Sequence, residues 1–368
     1  MIVEKKVFEL PEFRTSGGQL IKNVRIGWES YGTLNADRSN AILIAHYFSG
    51  TSHAAGRHAK EDVFPGYWDA LIGPGKAIDT DRYFVFSSDT LVNLNARDPH
   101  VITTGPASIN PDTGKSYGLD FPLVTIRDFA AVQKALVDYL GIRRLHAVMG
   151  PSMGGLQTLA WAAIYPDMMD RIVPVICAGE VDAWLIAWLG LWGAPIIADP
   201  AWKNGAYALD EQPLAGLKLA LELVTLQANH WIWADTQFGR TFAEPGADPG
   251  NALRNYFKAQ TVVSGIAAER AKISDANHLL YLVKANQTFA VGPTGTVADL
   301  EKIKARTLLL YSPEDQVFRA AKSRATAAAI AKGGAEVETA EIHGPFGHAN
   351  GLFAMAPLGE KIREFLAA

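Results

Sequence analysis

The sequence is poor in cysteine, in net charge and in long apolar runs. Cys177 is the only cysteine among 368 residues, which excludes an internal disulfide and a metal site built from several thiolates. It lies in the apolar run 171–178, where we expect a buried and unreactive thiol. The net charge is only −4 and no Lys/Arg cluster stands out, so the sequence predicts neither a nucleic-acid partner nor a membrane-surface partner.

No apolar run is long enough for a membrane-spanning helix, which needs about 18 residues. The nearest approach, Ala183–Ala198, ends at Asp199. The opening residues MIVEKKVFEL carry charges where a secretory signal needs an apolar stretch. We therefore expect a cytoplasmic protein with no membrane partner.

Short apolar runs rich in β-branched residues alternate with helical patterns through the first half of the chain. Apolar residues at helical spacing predict a helix over 125–140, which Gly141 ends as a C-terminal cap. This alternation is typical of an α/β fold with a mostly parallel, doubly wound sheet that helices cover on both faces. The predicted strands in this half are 41–45, 83–86, 145–149 and 172–176.

The alternation stops after residue 176 and resumes near residue 307. The later elements are predicted strands over 307–311 and 336–342 and predicted helices near 320–331 and 358–365. The intervening stretch is helix-rich and carries most of the tryptophans. Because the sheet pattern continues after it, we interpret residues 179–299 as an inserted helical cap on a core of residues 1–178 and 300–368.

Three tryptophans recur every four residues within the predicted cap. Trp184, Trp188 and Trp192 therefore fall on one helical face. Such a stripe fits packing between helices, the lining of an acyl pocket or a subunit interface. The spacing alone leaves all three open.

The segment Gly150–Gly154 (GPSMG) matches G-x-S-x-G, the nucleophile elbow of the α/β-hydrolase fold. A serine on a sharp turn between a strand and a helix forces its neighbours close together, which favours glycine two residues to either side. Here the motif follows a predicted strand and opens an apolar helical pattern. We predict that Ser152 is a nucleophile and that the backbone N–H of Met153 stabilises the oxyanion.

A nucleophilic serine needs a base, usually a histidine that a carboxylate orients. In α/β hydrolases the acid and then the histidine follow later strands. Asp315 follows one late predicted strand, and His348 lies in a glycine-flanked loop after the next. We assign them as acid and base, ahead of their neighbours Glu314 and His343.

The second oxyanion donor of this fold comes from the loop after an early strand. That loop is 46–50 here, and the expected donor is the backbone N–H of Phe48.

Two other chemistries receive little support. His46, His53 and His58 lie close in sequence, but neither a carboxylate with matching spacing nor an HExxH helix accompanies them. The segment Gly73–Gly75 is too short to cradle a phosphate and is typical of a turn. We therefore expect no metal and no cofactor.

Longer stretches of the chain resemble the homoserine O-acetyltransferases, a family of α/β hydrolases. The resemblance is carried by Asp69–Val85, Thr104–Phe129, Pro151–Asp167 and Gly344–Ala349. It implies that Ser152, Asp315 and His348 are the family's nucleophile, acid and base, and that its oxyanion loop is Tyr47–Gly50. It also implies acetyl transfer from acetyl-CoA to the hydroxyl of homoserine, and a homodimer formed through the cap helices.

Three positions depart from the family pattern. In that family an aspartate after the catalytic histidine holds the amino group of homoserine, and an arginine and a tyrosine seven residues apart hold its carboxylate. Here the corresponding residues are Ala349, Leu221 and Ala228, the last two from an ungapped local alignment of 216–229. An amino-acid acceptor needs charged partners in a desolvated site, so the chain more closely resembles the family's esterase members, which hydrolyse short-chain alkyl acetates.

We therefore expect a serine carboxylesterase that hydrolyses small esters such as alkyl acetates, with Tyr47, Leu221, Ala228 and Ala349 as substrate-binding residues. The alternative is an O-acyltransferase that uses acetyl-CoA and an alcohol acceptor, because the catalytic residues do not fix how an acyl-enzyme partitions. A non-catalytic binding protein on the same fold is a third interpretation, which the complete triad disfavours.

Overall fold

The computed structural model describes residues 1–208, 210–292 and 294–368. Within them the strands are β1 (Lys6–Arg14), β2 (Leu20–Tyr31), β3 (Ala41–Ala45), β4 (Ile72–Gly73), β5 (Ile78–Asp79), β6 (Phe84–Ser88), β7 (Leu145–Pro151), β8 (Met169–Val175), β9 (Arg306–Tyr311) and β10 (Val337–Glu341). The helices are α1 (Ile126–Tyr139), α2 (Met153–Ile164), α3 (Ala183–Ala198), α4 (Leu214–Ala228), α5 (Trp231–Gln237), α6 (Lys258–Ile273), α7 (Ala276–Gln287), α8 (Ala320–Lys332), α9 (Asn350–Phe353) and α10 (Gly359–Ala367).

One large twisted sheet organises the chain, in the strand order β1-β2-β6-β3-β7-β8-β9-β10. The first three strands in this order pair antiparallel, and from β6 to β10 the pairs are parallel. The short strands β4 and β5 pair separately. The predicted α/β fold with a mostly parallel sheet is therefore confirmed.

The central strands are apolar on both faces because helices cover both faces of the sheet. In β3 the side chains alternate between two cores, as the two-residue period of a strand requires. Leu43 packs in the core that contains Phe129 of α1. Ile42 and Ile44 pack in the core that contains Phe365 of α10. Burial on both sides explains why β3 reads as a continuous apolar run in the sequence.

The helices α3 to α7 lie between β8 and β9, where the sheet pattern of the sequence is interrupted. Helix α3 contacts α4 and α7, and α4 contacts α6, so these four helices form a connected layer. We propose that residues 179–299 form a cap over the carboxyl edge of the sheet. Among the described residues, no helix combines the length and the apolar character needed to cross a bilayer.

The tryptophan stripe of α3 does not share one environment. Trp184 is 57% exposed, whereas Trp192 is 5% exposed and its ring meets that of Phe48 edge-on, with centroids 5.2 Å apart. Trp188 is half-buried and its ring contacts that of Trp184. Trp192, at the inner end of the stripe, therefore lines the cavity described below, whereas Trp184, at the outer end, lies on the surface.

Candidate active site

The nucleophile elbow is formed by the turn between β7 and α2. Ser152 has φ 57° and ψ −119°, a backbone conformation that side chains adopt at a cost and that functional sites tolerate. A Cβ atom on Gly150 or Gly154 would clash with the backbone carbonyl of Ala45 on β3. These contacts explain why the motif has glycine two residues to either side of the serine.

A hydrogen-bonded chain joins the three residues that the sequence assigns as a triad. Nε2 of His348 lies 2.8 Å from Oγ of Ser152, and Nδ1 of His348 lies 2.7 Å from Oδ2 of Asp315. The other carboxylate oxygen of Asp315 accepts the backbone N–H groups of Val317 and Phe318, at 2.7 and 2.8 Å. The carboxylate is thus buried and fixed, and the imidazole bridges it to the hydroxyl.

The two rival residues lie elsewhere. The side chain of His343 is 70% exposed and its Nε2 lies 3.4 Å from a carboxylate oxygen of Glu341. The carboxylate of Glu314 accepts a hydrogen bond from the hydroxyl of Ser312. The structure therefore brings Asp315 and His348, rather than these neighbours, to Ser152.

The predicted oxyanion donors are two backbone N–H groups, those of Phe48 and Met153. Phe48 follows β3, and Met153 is the first residue of α2, where N–H groups lack partners within the helix. Among the described residues, neither N–H donates to a protein acceptor. Both donors therefore lie at the carboxyl edge of the sheet beside Ser152 and are free to bind a developing negative charge.

Buried polar side chains hold the oxyanion loop in place. Asn93 donates to the carbonyl of Gly50 at 3.0 Å, and Asn95 donates to the carbonyl of Ser49 at 3.1 Å. His46 is fully buried, which lowers the pKa of its imidazole. Its Nδ1 lies 2.7 Å from the carbonyl of Tyr47 and its Nε2 accepts from Asn93, so the ring is neutral and acts as a structural brace.

Cys177 is close to the site, and its thiol is unreactive. The thiol is fully buried, and burial raises its pKa well above the usual value, with the charge of Asp315 adding to the effect. A protonated, enclosed thiol is a poor nucleophile. The prediction of a buried and unreactive cysteine agrees with this environment.

A cavity of about 480 Å³ opens at Ser152 and His348. Of the four predicted substrate-binding residues, Tyr47, Ala228 and Ala349 line it. Leu221 is not among the described lining residues, because it is fully buried on α4 in the apolar core. Other aromatic and apolar lining side chains include Trp192, Trp233, Ile266, Phe346, Leu352 and Phe353.

One charged lining residue was missed by the sequence analysis. Arg270 of α6 reaches the cavity, where its Nη1 donates to Oγ1 of Thr225 at 3.2 Å. Its Nη2 is enclosed and has no hydrogen-bond partner within residues 1–208, 210–292 and 294–368. An arginine within a helical pattern is usually a surface residue, so no local signal in the sequence distinguishes it.

The histidines considered for a metal have a carboxylate partner that the sequence analysis did not find. Glu29 of β2 is fully buried, and its carboxylate lies 2.9 Å from Nδ1 of His53 and 2.9 Å from Nε2 of His58. The ammonium of Lys5 also lies 2.9 Å from it. The ammonium of Lys5 is therefore already paired with the Glu29 carboxylate, and the cluster is an ion-pair network. His46 takes no part in it.

Comparisons with known proteins agree with the fold. A family model described as the alpha/beta hydrolase fold matches residues 64–341. A homoserine O-acetyltransferase from Methanohalobium evestigatum is 37% identical over 367 residues, which are 99% of this chain and 73% of that protein.

Two solved structures are similar over nearly the whole chain. The structure of esterase E22 superposes with a TM-score of 0.94 at 48% identity and covers 99% of this chain and 100% of its own. The structure of a homoserine O-acetyltransferase from Bacillus anthracis superposes with a TM-score of 0.93 at 37% identity and covers 100% and 98%. The similar proteins therefore include both an esterase and acetyltransferases.

Proposed function

This chain belongs to the α/β-hydrolase family, among the homoserine O-acetyltransferases and related esterases, and we propose that it is a serine carboxylesterase acting on small esters. The observation that carries the proposal is the chain of hydrogen bonds from Asp315 through His348 to Ser152, at the mouth of a largely apolar cavity. A short acyl group and a small alcohol group fit a cavity of about 480 Å³.

In the first half of the reaction His348 Nε2 takes the hydroxyl proton as Ser152 Oγ bonds to the ester carbonyl carbon. The backbone N–H groups of Phe48 and Met153 bind the oxygen that becomes negative. The carbon–oxygen bond to the alcohol then breaks, and Nε2 gives the alcohol its proton. In the second half water attacks the acyl-serine in the same way, which releases the acid and restores the hydroxyl. Asp315 stabilises the imidazolium throughout.

We choose water as the acyl acceptor because of the residues that line the cavity near His348. Ala349 directly follows His348, is 5% exposed and lines the cavity. Ala228 lines it too, whereas Leu221 is buried in the core. Among the described residues that line the cavity there is no aspartate or glutamate. A site without a carboxylate lacks the partner that an ammonium group needs when it is removed from water. The 48% identity with esterase E22 supports the same choice.

An O-acyltransferase is the second candidate, and the curated relatives favour it by name. The relative from Methanohalobium evestigatum and the Bacillus anthracis structure are both called homoserine O-acetyltransferases. The same residues form the acyl-serine in both functions, but with acetyl-CoA a carbon–sulfur bond breaks and the CoA thiol leaves in place of an alcohol. An acceptor alcohol would replace water in the second half.

The deciding experiment measures acid release from ethyl acetate by the purified protein, with and without homoserine and acetyl-CoA. An esterase releases acid at a rate that neither addition changes. Formation of O-acetylhomoserine from acetyl-CoA, with little hydrolysis of ethyl acetate, would overturn the esterase proposal in favour of the transferase. The Ser152→Ala variant should lose turnover in both assays, and the Ser39→Ala variant on an exposed loop serves as the matched control.

Three further expectations from the sequence stay predictions. They are the cytoplasmic location, the homodimer through the cap helices, and independence from metals and cofactors.

A further inference from the structure

Arg270 is a cation in the cavity at Ser152, and no anion in the part of the chain that the structure describes balances it. Among the described residues, no carboxylate is found to pair with its guanidinium. The interactions found for it are a hydrogen bond to the hydroxyl of Thr225 and an electrostatic interaction with the phenol of Tyr47. Burial raises the pKa of Tyr47, so that phenol is neutral near pH 7 and does not balance the charge.

An unbalanced guanidinium in this position costs free energy. Arg270 is half-buried, and its partial burial lowers the pKa of the guanidinium, yet an arginine side chain stays protonated in proteins. Buried charges are normally paired, because removing an ion from water is expensive unless another charge compensates. The enclosed Nη2 makes no hydrogen bond to any residue that the structure describes. An arginine that served only to pack α6 against α4 would not need the charge, since a neutral side chain could also bond to Thr225.

The cavity relates this charge to the catalytic serine. Arg270 and Ser152 line the same space of about 480 Å³, a size that suits one small molecule. Ile266 and Ile273 of α6 and Val224 of α4 are apolar lining groups of the same cavity. They would shield an ion pair from water and so strengthen it.

We propose that Arg270 binds a carboxylate of the substrate, so that the preferred substrates are small esters that carry one negative charge. The proposal rests on the esterase function proposed above and names its substrate class. A planar carboxylate suits an arginine that lines the cavity, because a guanidinium offers parallel N–H groups in a fixed fork. Arg270 is thus a specificity residue, while Ser152, His348 and Asp315 carry out the chemistry.

The test compares charged and neutral esters of matched shape. Monomethyl succinate carries a carboxylate in its acyl part where methyl butanoate has a methyl group. In the second pair, 3-acetoxypropanoate carries the carboxylate in its alcohol part where propyl acetate has a methyl group. For each pair the readout is the ratio of kcat/KM for the anionic ester to that for the neutral ester. The pair with the higher ratio in the wild-type protein shows on which side of the ester group the carboxylate belongs.

Three variants connect that ratio to Arg270. Arg270→Met keeps the length of the side chain and should lower the ratio of the favoured pair roughly 10- to 100-fold, the range expected when a charge-assisted hydrogen bond is lost. Arg270→Lys keeps the charge without the fork and should give an intermediate ratio. Arg143→Met, at an exposed position just before β7 and at the opposite edge of the sheet, should match the wild type. Equal ratios in the Arg270→Met and wild-type proteins for both pairs would overturn the proposal.

A binding measurement separates this proposal from the proposed function. Monomethyl succinate and 3-acetoxypropanoate are titrated by calorimetry into the Ser152→Ala variant, with and without Arg270→Met. Binding of either anion that Arg270→Met weakens at least tenfold supports the anion site even if no ester is hydrolysed. Equal binding with and without Arg270, in a protein that hydrolyses neutral esters, would reject the anion site and leave the esterase intact.

Discussion

Asp315 holds His348 through a hydrogen bond of 2.7 Å between Oδ2 and Nδ1, while its other oxygen is occupied by the backbone N–H groups of Val317 and Phe318. Because both oxygens are engaged, the carboxylate cannot turn away from the imidazole. The ring orientation that points Nε2 at Ser152 is therefore set before substrate binds.

Replacing the Asp315 carboxylate by an amide should disturb the orientation and the tautomer of the His348 ring. We expect Asp315→Asn to lower kcat by roughly a thousandfold or more, because the amide favours the wrong tautomer of His348 and cannot stabilise the imidazolium. Steady-state hydrolysis of ethyl acetate measures the loss, and circular dichroism checks the fold. The neighbouring Glu314→Gln substitution is the matched control and should retain activity near the wild-type level. Equal losses in the two variants would show that the acid has been assigned to the wrong residue.

The backbone of Ser152 gives a prediction about stability. Its φ of 57° and ψ of −119° cost a residue with a side chain about 1–3 kcal/mol, whereas glycine adopts positive φ freely. Ser152→Gly should therefore be more stable to unfolding than Ser152→Ala by about 1 kcal/mol, although both lack the nucleophile. Unfolding in guanidinium chloride measures the difference.

A helical serine supplies the control for this comparison. Ser264 lies within α6, where glycine is the poorer helix former by about 1 kcal/mol. Ser264→Gly should thus be less stable than Ser264→Ala, the reverse of the order at Ser152. The same order at both sites would argue against backbone strain at the nucleophile.

Glu29 links stability to pH. Burial would by itself raise the pKa of this carboxyl group, but hydrogen bonds from His53 and the charge of Lys5 outweigh it and lower the pKa to about 2. A lowered pKa means that the folded state prefers the ionised form. The contribution of Glu29 to the free energy of unfolding is therefore complete above the ordinary pKa of 4.5 and is lost as the pH falls towards 2. A shift of this size corresponds to a contribution on the order of 3 kcal/mol at neutral pH.

Glu29→Gln should therefore destabilise the protein by about 3–5 kcal/mol at pH 7, because it removes the carboxylate that His53 and His58 share and leaves Lys5 only the longer contact with Asp89, at 3.5 Å. The difference from the wild type should shrink as the pH falls from about 4.5 towards 2, as denaturant unfolding at a series of pH values would show. The exposed ion pair between Glu9 and Arg25 provides the control, and Glu9→Gln should cost less than about 1 kcal/mol. A Glu29 effect that stayed constant over that pH window would contradict the role of the ionised carboxylate.

Local signals in the sequence were sufficient for the central sheet and for the three residues that the structure joins by hydrogen bonds at the candidate active site. Strand β3 has the predicted bounds, because burial on both faces leaves a run of apolar residues. Ser152, Asp315 and His348 could be placed because each follows a strand whose end the sequence marks. The hairpin of β1 and β2 was not predicted, since its outer face is solvated and its charged residues break the apolar pattern.

The missed site features all depend on contacts between residues far apart in the chain. Glu29 meets His53 and His58 across 24 and 29 positions, and no local pattern around either histidine points to Glu29. Arg270 reaches the cavity only because α6 packs against α4. Leu221 fits the local alignment of α4, yet its side chain is buried in the core. The periodicity of a helix indicates which residues share a face, but not what that face contacts.

Ala349 offers a test of what separates hydrolysis from acyl transfer. It directly follows His348 and lines the cavity that Arg270 also lines, so a carboxylate here would give an ammonium group a partner while Arg270 could bind a carboxylate. Ala349→Asp should therefore raise the ratio of O-acetylhomoserine to acetate roughly tenfold or more when homoserine is present during ester turnover. The same carboxylate should slow the hydrolysis of neutral esters, because a charge enters a largely apolar cavity. Ala349→Asn has the same shape without the charge and should leave the product ratio near that of the wild type. If the two variants gave the same ratio, the acceptor would be selected elsewhere, and the residue after the base would not decide between esterase and transferase.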